Sequence, residues 1–119
     1  MNNSHNTWLR SLDFYKSELN ILKAQLAEIV GKNTGQPAMQ KAELFENQLA
    51  VQTANIDSMS HSIRENLANI SAEAKNRNAG YIDGDLFTRH NNLEQGFETE
   101  QRIINDLRQN FHRFAAEWM

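Results

Sequence analysis

The side chains best suited to chemistry are four histidines set among carboxylates. His61 and Glu65 stand one helical turn apart, as do His90 and Glu94, with Glu98 a further turn on. Imidazole beside carboxylate can ligate a metal or move a proton. A metal inside a helical bundle, however, needs several such groups converging from different helices, as Glu together with Glu-x-x-His provides in di-iron bundles. The chain contains no Glu-x-x-His, and no His-Glu-x-x-His, G-x-S-x-G or P-loop pattern. Ser58, Ser60 and His61 are adjacent but have no orienting network that would make a nucleophile of either serine. Without cysteine there is no thiol nucleophile, thiolate metal site or disulfide framework. The expectation is a non-enzyme with no catalytic residue, no cofactor and no metal.

What positions these residues is apolar spacing that steps 4, 3, 4, 3 along three stretches. Trp8, Leu12, Tyr15, Leu19, Leu22, Leu26 and Ile29 form the first stripe. Ala42, Phe45, Leu49, Ile56, Met59, Ile63 and Ile70 form the second, and Leu86, Leu93, Phe97, Ile104, Leu107, Phe111, Phe114 and Trp118 the third. A period near 3.5 keeps one helix face against a neighbour for many turns. Helices are predicted over about 4–32, 37–76 and 84–118, with Asn3 or Ser4 as the first N-cap and Pro37 in the first turn of the second helix. Asp83 caps the third, and Ile82 with Phe87 has the spacing of a hydrophobic staple, a use of Ile82 preferred over docking of the Tyr81 loop into a partner. Short breaks require the helices to fold back on one another. The predicted fold is all-α, an antiparallel up-down-up three-helix bundle of long coiled-coil-like helices in one domain, 1–119.

Aligning seam positions gives a register. It places Phe45 opposite Trp118, Leu49 opposite Phe114, Ile56 opposite Leu107, Met59 opposite Ile104 and Ile70 opposite Leu93. The same register opposes Gln52 to Phe111, Asn66 to Phe97, Ile63 to Glu100 and Glu73 to His90. These five polar seam residues, Gln52, Asn66, Glu73, His90 and Glu100, are the candidate polar positions. Glu100 is expected beside the start of the first helix, where free backbone N–H groups or the Trp8 indole attract a carboxylate. His90 facing Glu73 is read as a polar layer; the alternative function is a metal- or small-ligand-binding site there. His61 is expected to face outward.

The register also leaves Leu22, Leu26, Ile29 and Val30, with Met39, Ala42 and Phe45, beyond the end of the third helix. Phe14 and Ile21, and Leu44 and Val51, form a second stripe one heptad apart on each helix. Phe14, Ile21, Leu26, Ile29, Leu44 and Val51 are therefore the candidate interface, read either as a wide core face or as a surface for a homodimer or another protein partner.

A net charge of −3 with basic residues dispersed among acids argues against nucleic-acid binding. The start MNNSHNTWLR lacks the charged head and apolar run of a secretory signal, and no apolar run is long enough to span a bilayer, so the expected location is cytoplasmic. The many Asn and Gln, such as Asn91, Asn92 and Gln95, are interrupted at regular intervals by apolar residues, which sets the chain apart from low-complexity sequence.

The segments HNTWLRSLDFYKSELNILKAQLAEIV and LFENQLAVQTANIDSMSHSIRENL resemble small all-helical proteins of Bacteroidetes-type bacteria that have no assigned function. That resemblance covers about the first half and implies a bacterial cytoplasmic helical bundle. It carries no site residues. The functional expectation is a non-enzymatic, homo-oligomeric interaction or scaffold module.

Overall fold

The computed structural model describes residues 2–33, 35–76 and 84–118, with the side chains among them other than those of 2–3, 73–76 and 84–87. Three helices, α1 (Asn2–Lys32), α2 (Gln36–Asn76) and α3 (Gly84–Trp118), pack as an antiparallel three-helix bundle. It is a rod of 65 × 18 × 18 Å. α2 sets the length, because 41 residues at 1.5 Å each span roughly 60 Å. No described helix is long and apolar enough to cross a membrane.

The heptad stripes become the core. Leu12, Leu49, Ile63 and Phe111 are fully buried, and Leu19, Ile29, Ile56 and Ile104 nearly so. The break between α1 and α2 is built from local hydrogen bonds. The Asn33 backbone N–H and its side-chain amide both donate to the Ile29 carbonyl, each at 3.0 Å, closing the end of α1. The Gly35 carbonyl accepts the first bond of α2 from Met39 N–H at 3.1 Å. Pro37, two residues on, lies in the first turn as expected, where its missing N–H has no helical partner to lose. α1 is already helical at Asn2, so neither Asn3 nor Ser4 is its N-cap. Asp83 and the Ile82–Phe87 staple lie outside the described residues.

The α2–α3 register differs from the expected one by a heptad. Phe45 packs on Phe111 and Phe114, with ring centroids 5.4 and 5.0 Å apart, where Trp118 was expected to face it. Lys41 pairs with Glu117 at 3.3 Å. Met59 reaches Gly96, next to Phe97, and Phe97 lies seven residues before Ile104. A slip of one heptad carries every seam position onto another seam position, so periodicity alone cannot distinguish the two registers. Burial can. The shift brings the end of α3 up to the α1–α2 connection, where Asn33 Nδ2 donates to the Trp118 carbonyl at 2.7 Å.

The two-helix overhang at this end therefore does not exist. Leu26 and Ile29 are 5% and 1% exposed and belong to the core rather than to an interface. Covering each such side chain contributes about 1.5–3 kcal/mol, which favours the observed register.

Candidate functional site

The one-heptad shift reassigns the polar seam. His90 was expected to face Glu73; instead it meets α1, with its ring 5.2 Å from His5 and 5.2 Å from Trp8. His5 and Trp8 are likewise 5.2 Å apart, so the three rings form a closed cluster. From α2 the partner is Asn66, 3% exposed, whose Nδ2 lies 2.9 Å from His5 Nε2. Glu73 is seven residues further along α2, about 10 Å at the helical rise, and its side chain is outside the described residues.

His5 is the member of this layer that is absent from the candidates drawn from the sequence. It stands three residues before Trp8 and seven before Leu12, and so continues the 4, 3 stripe by one step. The spacing carries this signal, but a polar residue near a helix start reads equally as a cap or first-turn residue. In the structure it is fully buried.

With the Asn66 amide nitrogen facing the ring, Asn66 donates and His5 Nε2 accepts, which requires a neutral imidazole with its proton on Nδ1. Asn66 Oδ1 and His90 Nδ1 are buried without a hydrogen-bond partner among the described residues. Burial lowers the His90 pKa from its ordinary value, and His5 and the chain's α-amino group act in the same direction; Glu94 opposes them. The layer thus favours a neutral His90, whose ring loses solvation there and lies close to a second imidazole.

Phe97 joins this layer to the next, with its ring 6.1 Å from Trp8 and 6.5 Å from Tyr15. Glu100, one turn beyond, therefore lies level with the body of α1 and not with its first turn. The carboxylate is 3% exposed, and its partner is Gln52. With the Gln52 amide nitrogen turned toward it, Nε2 donates to both carboxylate oxygens, at 2.7 and 3.1 Å. Burial pushes the Glu100 pKa above its ordinary value. Gln52, expected opposite Phe111, thus serves the buried acid.

Near the surface between α1 and α3, Arg108 bonds Glu18 at 2.7 Å and also reaches Asn105. His61 and Glu65 pair at 3.5 Å with side chains mostly exposed, so His61 does face outward. Such a pair contributes little to stability. Among the described residues no three His, Asp or Glu side chains converge as metal ligands.

The second stripe remains at the surface. Phe14 and Ile21 are each 59% exposed, Leu44 63% and Val51 54%, so these residues do not widen the core face. They occupy two flanks of the rod. Phe14 borders a shallow α1–α3 groove of about 410 Å³ with Tyr15, Gln101 and Arg108. Leu44 and Val51 stand three residues after Lys41 and Gln48, which face α3 from its other side, through Glu117 and through a groove shared with Ile103.

Comparison with known proteins finds no matching family model, curated relative or solved structure.

Proposed function

We propose that this chain is a non-enzymatic interaction module of the bacterial cytoplasm that associates with a second copy of itself and offers a further helical flank to another protein. The observation that carries this reading is the exposure of Phe14, Ile21, Leu44 and Val51 at heptad spacing on two helices. A solvent-facing helix position rarely needs a large apolar side chain, and repetition after seven residues keeps such residues on the same side for a partner helix. The two pairs flank α3 from opposite sides, so the reading assigns them to separate contacts. Dispersed Lys and Arg in a chain of net charge −3 support a protein partner over a nucleic acid.

Light scattering coupled to size exclusion tests self-association. The expected mass at tens of micromolar is that of two chains, falling to one in either the Phe14→Asp/Ile21→Asp or the Leu44→Asp/Val51→Asp variant, with helicity unchanged. A wild-type mass of 13.7 kDa throughout would overturn the homo-oligomeric reading.

A further inference from the structure

His5 and Trp8 come from α1, Asn66 from α2 and His90 from α3, so this one layer fastens all three helices at the head of α1. We propose that it is an acid-operated latch: protonated His90 leaves the rings of His5 and Trp8 for Glu94, and the first turns of α1 come away while the rest of the bundle stays folded. The latch does not depend on self-association.

The geometry supplies two places for His90. Inward, it packs against two buried rings, where a positive charge loses solvation and lies 5.2 Å from a second imidazole. Outward, it has Glu94, an exposed carboxylate one turn along the same helix. His90 is itself only partly buried, so the exchange is a rotamer change and requires no backbone displacement.

Among the described residues α1 presents His5, and α3 presents Glu94 and Arg89; α2 presents Asn66, with Glu65 in the groove beside Arg89. His5 accepts from Asn66 through Nε2, so a proton there turns an acceptor into a donor aimed at a donor. His90 leaving its place removes a ring from Trp8 and opens the layer to water.

The sign follows from His90 being held neutral. Its contribution to stability is complete above the ordinary imidazole pKa and is lost as pH falls from there through the lowered folded value. Acid therefore loosens this end selectively. The Gln52–Glu100 layer shifts the other way, because its acid is raised.

The experiment uses the full chain carrying Trp118→Phe, which leaves Trp8 as its single tryptophan. Trp8 emission and amide hydrogen exchange are followed from about pH 7.5 to about pH 5, the range in which imidazoles titrate. The expected result is a reversible red shift with roughly tenfold faster exchange in the first turns of α1, while amides around Ile56 keep their protection. His90→Leu and His90→Asn should each flatten the profile, and Glu94→Gln should move its midpoint to lower pH. Constant Trp8 emission across the range overturns the latch, as does a His90→Asn chain that still shifts like its parent. Loss of protection at Ile56 together with Trp8 also overturns it, since that is global unfolding.

Discussion

At the scale of single residues, Glu100 and His90 are buried for opposite electrostatic outcomes. Burial disfavours the charged form of each, which raises an acid and lowers a base. For Glu100 the native state binds a proton more readily than the unfolded chain, so its contribution to stability falls as pH rises above the ordinary carboxyl value. Glu100→Gln should therefore raise Tm at pH 7 by a few degrees, with a gain that shrinks as the pH is lowered toward 4. A thermal melt series from pH 4 to 7 reads this directly. An equal or lower Tm at pH 7 would mean that the two bonds from Gln52 outweigh the desolvation of the carboxylate. Gln52, Asn66, His90 and Glu100 were all legible as seam positions, because a polar residue at an a or d site stands out against its heptad neighbours. Their partners were not legible, since partnership depends on which heptad of one helix meets which heptad of another. His5 was hidden for a different reason: it lies at the first step of a stripe, where no earlier turn marks the phase.

At the scale of elements, each helix is specified by many weak signals that agree: apolar phase, good helix formers on the outer faces, and breaks at Asn33–Gly35. Gly96 is the exception inside α3. A Cβ built there meets only the Met59 Cε at 3.7 Å, which is ordinary contact. Gly96→Ala should thus stabilise the protein by about 0.5–1 kcal/mol through the unfolded chain's lost freedom and added helix propensity, measured by urea denaturation. A loss of stability would show that α2 and α3 approach more closely at this point than the contact distance allows. The helix boundaries were readable within two residues at every described end, because Gly, Asn and Pro act locally. The start of α1 was the least accurate, as polar residues such as Asn3 and Ser4 can serve equally as caps or as first-turn residues.

At the scale of the whole molecule, the end of α3 is tied to the turn between α1 and α2 by one side chain. Asn33 bonds the Ile29 carbonyl and the Trp118 carbonyl, so it closes one helix and anchors another. Asn33→Ala should cost about 1–2 kcal/mol and increase amide exchange in the last turn of α3, since two carbonyls lose a donor together. Unchanged exchange there would remove this anchor from the account of the register. The rod that results exposes its apolar remainder in two narrow flanks either side of α3, which is why the self-association test uses two separate double variants.

The sequence by itself determined three helices, their phase and which seam positions are polar, because those properties follow from local propensity and a repeating period. Only the tertiary structure decided the heptad in which α3 meets its neighbours. A seven-residue repeat is blind to a shift by its own length, and the choice falls to the total surface buried when all three helices are in place. That choice turned an expected His90–Glu73 pair into the His5–Trp8–His90–Asn66 layer, and moved Leu26 and Ile29 from a presumed interface into the core.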